Sequence, residues 1–198
     1  MTISADESAG TREQILVAAY HALEKHGYAD LTIGRIGEEF DKSTSLIYHH
    51  FDGKDDLLLA CLEFMLDQFA GTTAHSDHTD PKSDLESFIE QVLSIEGDAQ
   101  QYQLMGSLVE LRLQSTHNNG YRAHFDRSDL VIQNALAETV TAGIENGVFK
   151  QCDPDAVAAT IHTLLIGSSV RLVTTGGDGW KTSVRDEMFA YLADRVYA

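Results

Sequence analysis

The sequence predicts an all-α protein, and three observations carry that prediction. Apolar residues recur at helical spacing along almost the whole chain of 198 residues. No segment longer than about eight residues alternates as a half-buried strand would. The two prolines, Pro81 and Pro154, each follow an Asp and precede a helical stretch, where proline opens a helix instead of breaking one.

Thr11-Arg12-Glu13-Gln14 has the form of a capping box, with Thr11 at the N-cap. Ile15, Ala18, Ala19, Ala22 and Leu23 then hold helical spacing, and Gly27 is expected to close the helix in a left-handed conformation behind Lys25 and His26. Tyr28 and Leu31 pack in the connection. Thr32 caps a short second helix to about Phe40 that buries Ile33, Ile36 and Phe40. Asp41-Lys42 makes a tight turn. Ser43 caps a third helix, Thr44 to His50, which buries Leu46 and Ile47, with His50 and Phe51 read as core. Asp52-Gly53 opens a fourth helix, Lys54 to about Thr72, through Leu58, Leu62, Met65 and Phe69.

After a polar loop from Thr73 to Asp80, a helix carries Leu85, Phe88, Ile89, Val92 and Leu93 to about Glu96. Tyr102 to Ser115 is the next, with Leu104, Met105, Leu108 and Leu111 inside. A long helix follows Asn118-Asn119-Gly120 and stops at Asn146-Gly147. Asp153-Pro154 then opens a segment to Thr174 that is apolar nearly all round. The Gly176-Gly177-Asp178-Gly179 loop leads to a last amphipathic helix, Trp180 to Tyr197.

Lys and Arg number 14 against 31 Asp and Glu, a formal charge of −17. With 43% hydrophobic residues this is a folding chain and not an acidic tail. Lys is scarce and the acid is spread evenly, the pattern of a surface that stays soluble in high salt, so a halophilic protein is expected. Residues 1–10 show no secretory signal. The apolar run from Ala156 to Val173 is interrupted by His162, Ser168, Ser169 and Arg171. It therefore reads as a buried helix, since a membrane span needs about 20 predominantly apolar residues. Cys61 and Cys152 lie far apart, which fits a reducing cytoplasm better than a disulfide framework.

Two short helices joined by a tight turn and braced by a longer one are the parts of a helix-turn-helix unit. The outward positions of the third helix, Thr44, Ser45, Tyr48 and His49, carry hydroxyls and hydrogen-bonding rings. Such groups suit groove edges and phosphates better than a merely solvated face, which favours Glu and Lys. The string Thr32-x3-Ile36-x3-Phe40-Asp41-x-Ser43-x-Ser45-Leu46-Ile47-Tyr48-His49-His50-Phe51-x2-Lys54-x2-Leu57-Leu58 resembles the DNA-binding domain of TetR-family transcriptional repressors. The resemblance spans about residues 11–60. It departs from the family at Asp41, where Gly is usual, and at Lys42, where a small apolar residue is usual.

The resemblance implies that Thr44, Ser45 and His49 face the major groove, and that Thr32, Tyr48 and Lys54 bind phosphates. Arg35 and Lys42 are added from their charge, and Ser43 stands in the same row. Plainer readings sit beside these: Thr32 as a cap only, Tyr48 as half core, Lys54 as a partner for Asp55 or Asp56. Residues 32–54 hold Arg35, Lys42 and Lys54 against Glu38, Glu39, Asp41 and Asp52, a net of −1, so little counterion release is expected on binding.

The division expected is 1–53 for DNA binding and 54–198 for effector binding and dimerisation. Regulators of this kind keep an effector cavity among their middle helices. Tyr102, Glu110 and His162 are the polar pointers to it here, with Met65, Phe69, Met105 and Phe125 as adaptable walls. Against that stand a Glu110–Arg112 pair, a satisfied core histidine, and Met and Phe as plain core. The all-apolar helix and the last helix are expected to build a two-fold four-helix interface through Ile161, Leu165, Ser168, Leu172, Met188, Tyr191 and Leu192.

The whole reads as a cytoplasmic, homodimeric, ligand-responsive repressor on a pseudo-palindromic double-stranded DNA operator, with an unidentified small-molecule effector. It needs no cofactor, metal or membrane, and no catalytic arrangement is visible. Two rivals remain: the same fold as a constitutive DNA-binding protein, and a helical metal protein or enzyme using His75, His78 or Glu110.

Overall fold

Helices begin in this computed structural model largely where the sequence supplies a cap. The residues described are 10–73, 79–94, 98–177 and 179–198. Among them run α1 (Thr11–Asp30), α2 (Ile33–Glu38), α3 (Ser45–His50), α4 (Lys54–Thr73), α5 (Pro81–Leu93), α6 (Ala99–Gln114), α7 (Asn119–Glu145), α8 (Pro154–Thr174) and α9 (Gly179–Arg195). Asp80 and Asp153 accept backbone N–H groups at the starts of α5 and α8, each with Pro in the first turn. Asp98 does the same for α6, which starts three residues before the apolar spacing predicts.

The capping box at Thr11 does not form. Gly10 occupies the N-cap, its carbonyl takes the Gln14 N–H at 3.1 Å, and no side chain caps the helix. Gly27 has φ 71° as expected but ψ 169°, an extended conformation open essentially to glycine alone, and a further turn to Asp30 follows this kink. A Cβ there would also overlap the Gln103 amide of α6, the helix that packs along α1.

The chain divides into two compact units. The first contains Met1–Thr72 and Asp98–Asp126, and the second Thr73–Gly97 and Arg127–Ala198. Ile15, Leu23, Ile36, Ile47, Phe51, Leu57, Leu58, Leu62, Leu111 and Tyr121 fill the first core. Burial of Ile36 and Ile47 contributes about 2 kcal/mol each, more than the roughly 1 kcal/mol of a cap, so packing and not capping holds α2 and α3. The second core joins Leu85 and Ile89 to Leu136, Val140, Val157, Ile161, Leu165, Met188 and Leu192. Its closing contact, a bridge between Phe149 and Tyr197 with stacked rings, has no periodic signature in the sequence.

Cys61 is fully buried, its thiol set against the Leu16 carbonyl, and burial pushes its pKa up to about 12. Cys152 is half-buried. A thiol reagent on the native protein at neutral pH is therefore expected to label Cys152 alone and Cys61 only after unfolding. Two fast-reacting thiols would contradict this packing.

Candidate nucleic-acid interface

The α2–α3 pair has an apolar inner side and a polar outer one. Ile36, Phe40, Ile47 and Phe51 point inward and are buried. At the turn the Thr44 methyl lies so close to Gly37 that a Cβ on Gly37 would overlap it, which lets α2 and α3 approach. The Thr32 hydroxyl accepts the Arg35 N–H at 3.2 Å, so Thr32 is the cap of α2. At α3 the geometric N-cap is Thr44, which makes no side-chain cap bond. The Ser43 hydroxyl accepts the Ser45 N–H at 3.3 Å, and the Ser43 carbonyl takes the Leu46 N–H.

The outward row is as the spacing predicts: Ser43, Thr44, Ser45, Tyr48 and His49 are all exposed, Tyr48 at 65% of its surface. An exposed tyrosine on a six-residue helix has no packing role, which removes the reading of Tyr48 as half core. His50, expected in the core, is exposed instead. The helix ends at His50 and the extended backbone of Phe51 (φ −139°, ψ 137°) carries the phenyl ring inward, leaving His50 edge-on to His49 at 5.5 Å. The i, i+4 spacing of Ile47 and Phe51 is the sequence signal for that outcome.

Most cations near this face already have protein partners. Arg35 donates to the Asp30 carbonyl at 2.8 Å and lies 3.9 Å from the Asp30 carboxylate. Lys25 is bonded to Glu39 at 2.6 Å, which holds its pKa above the usual value. The Arg12 guanidinium sits over the Phe51 ring at 5.3 Å. Lys54 donates to the Tyr28 carbonyl at 3.1 Å and lies 4.5 Å from the Tyr28 ring centre, so the plainer reading of it as a partner for Asp55 or Asp56 gives way to a contact with α1. Lys42 stands exposed at the turn.

Comparison with known proteins agrees with this geometry. The family model for bacterial regulatory proteins of the tetR family matches residues 15–61, the segment that holds α2, α3 and their brace. The model for the C-terminal part of BetI-type transcriptional repressors matches residues 81–196, more than half the chain. The chain belongs to the TetR family. A TetR transcription regulator from Haloarcula marismortui is 30% identical, with a TM-score of 0.78 over 94% of this chain and 98% of that one. The transcriptional repressor AcnR of Corynebacterium glutamicum is 25% identical over 176 residues, 88% of each protein. A regulator from Saccharomonospora viridis, solved in complex with choline, shares the fold at 22% identity and a TM-score of 0.74, covering 94% of this chain and 97% of its own.

The residues expected around an effector are distributed unevenly in this TetR-family chain. Phe125 is buried in the first core, with the Arg112 guanidinium 4.6 Å over its ring, and Met65 packs against that core. Phe69 and Met105 are half-buried. Tyr102 and Glu110 are exposed, so Glu110 is not the buried carboxylate that a cationic ligand would meet, and Arg112 faces Phe125. His162 belongs to the second unit. It is buried, with Nδ1 at 3.2 Å from the Gln133 amide and Nε2 at 3.8 Å from Asp129, a satisfied core histidine. Among the described residues no group of three or more His, Cys, Asp or Glu side chains comes together, and His75 and His78 lie outside them.

The expected dimer residues require correction. Ile161, Leu165, Ser168, Leu172, Met188 and Leu192 are buried within the protomer itself, most of them in the second core, and leave almost no surface for a partner. Tyr191 is half-buried against the same core. The apolar character of α8 hid which side faces inward. Thr160, Thr163, Leu164, Gly167 and Arg171 form the exposed stripe of that helix.

Sequence reasoning also missed two polar pairs between α4 and the start of α7. The Tyr121 hydroxyl donates to Asp55 at 3.2 Å, and His124 Nδ1 lies 2.8 Å from Glu63. Burial first, and the Asp55 charge second, hold the Tyr121 phenol well above its usual pKa.

Proposed function

We propose that the chain is a cytoplasmic, ligand-responsive repressor that binds a pseudo-palindromic operator as a homodimer, residues 1–53 contacting DNA and 54–198 serving effector binding and dimerisation. The observation that carries this reading is the outer row of α3. Thr44, Ser45, Tyr48 and His49 are exposed, chemically suited to base edges and phosphates, and mounted on a helix whose inner side is locked by Ile47. The functional division differs from the packing division, because α4 and α6 share a core with α1–α3. The fold of the Saccharomonospora viridis regulator accommodates choline, which supports a small-molecule effector in a fold of this kind. We assign the chain no catalysis.

Dimerisation is assigned to the exposed stripe of α8. Leu164 is 42% exposed on it, and Gly167 permits close helix approach. Nuclease footprinting of the DNA upstream of the chain's own gene tests the reading. It should show a protected inverted repeat whose half-sites are about one helical turn or a multiple apart. Protection of a single half-site, or none, would count against it.

The engaged cations set the salt dependence. If each protomer brings Lys42 and Lys54 to phosphates, the dimer neutralises about four, giving a slope of log K against log salt of about −3.6 at most. An anisotropy titration across KCl should give a slope shallower than about −4, with binding retained near molar salt in keeping with a halophilic surface. A steeper slope contradicts the charge assignment.

A further inference from the structure

The first turn of α4 connects three different elements through consecutive residues. Lys54 donates to the Tyr28 carbonyl at the end of α1. The Asp55 carboxylate accepts the buried Tyr121 hydroxyl of α7 at 3.2 Å, and the Asp55 carbonyl lies 3.5 Å from the same oxygen. The Asp56 carboxylate accepts the Asp52 N–H at 3.1 Å in the link from α3. Two further contacts extend the join along the same side of α4. Leu59 lies against Gly120, and Glu63 bonds the 4%-exposed His124. Asp55, Leu59 and Glu63 are four residues apart and share one face, opposite Gly120, Tyr121 and His124.

An apolar seam between helices tolerates small slides, but one whose α7 side is buried and polar does not. Tyr121 and His124 are buried while Asp55 is exposed and Glu63 half-buried, so each pair is satisfied in one register, and a shift takes the buried Tyr121 hydroxyl away from its acceptor. Only Asp52 and Gly53 separate the last extended residue after α3 from α4. The position of the first turn of α4 therefore fixes that of α3.

We propose that Tyr121 is a positioning residue for operator binding: through Asp55 it holds the first turn of α4, and with it the outer row of α3, in the DNA-competent placement. This rests on the operator-binding role of α3. Tyr121 itself touches no DNA, and the seam gives the α7 end a discrete way to alter α3.

The test uses the full-length chain and its Tyr121→Phe, Asp55→Ala, Asp55→Asn and combined variants, with two readouts. Tyr121→Phe keeps the ring in the core and removes one hydroxyl. Amide hydrogen exchange on the free protein should show faster exchange in the first turn of α4 and in α3, with the second unit unchanged. Operator affinity should fall roughly tenfold. That loss should vanish when Asp55 is already Ala, and persist when it is Asn, whose amide oxygen still accepts the bond. Unchanged exchange, a uniform rise across both units, affinity within twofold of wild type, or the same loss in the Asp55→Ala background would each overturn the proposal. If the wild-type chain binds no operator, the role of α3 fails, while the exchange measurement still decides whether Tyr121 holds α4.

Discussion

Replacing Tyr48 and His49 together by alanine is expected to abolish specific operator binding and leave the fold intact. Both side chains are exposed on α3, and His49 lies edge-on to the equally exposed His50. Neither supports the core, which at this helix rests on Ile47 and Phe51. Exposed substitutions of this kind shift stability by about 0.5 kcal/mol or less. A dimer loses four contacts. At about 1 kcal/mol each the loss is about 4 kcal/mol, on the order of a thousandfold in affinity. Anisotropy with a specific duplex reads the affinity, and a thermal melt reads the fold. A double variant that binds within a few-fold of wild type would place the reading surface elsewhere than α3.

The substitution Leu164→Glu should convert the dimer to monomers and remove operator binding with it. Leu164 lies on the exposed stripe of α8, so a glutamate there is solvated in the free protomer and the second core is untouched. In a two-fold interface each change occurs twice. Two carboxylates brought together and desolvated cost several kcal/mol per ion, against a modest apolar gain. Leu165→Glu is the informative contrast, because Leu165 is buried within the protomer and its replacement should unfold the second unit. Light scattering together with circular dichroism separates the two results. A Leu164→Glu protein that remains dimeric would remove the α8 stripe as the interface.

The recognition unit was legible in the sequence because its signals are local. Thr32 caps α2, Ile36 and Ile47 take the inner positions, and the hydroxyl and aromatic row of α3 follows from helical spacing alone. The misread positions depend on chain ends and on partners distant in sequence. His50 turns outward because α3 stops there and Phe51 takes the inner place. The Thr11 capping box is displaced by a helix that starts one residue after Gly10. In α8 the apolar residues run nearly all round, so periodicity could not tell the side facing Leu85 and Met188 from the side left exposed. The α4–α7 pairs join residues more than 60 positions apart, and no local pattern marks an Asp and a Tyr as partners across that distance.

The most direct test of the central claim is anisotropy of the wild-type chain on the duplex upstream of its own gene, beside a scrambled duplex of the same composition, through a KCl series reaching molar concentrations. Saturable binding to the natural duplex, at least a thousandfold tighter than to the scrambled one and persisting at high KCl, is the predicted result. Equal affinity for both duplexes at every salt concentration would contradict an operator-reading function for α3.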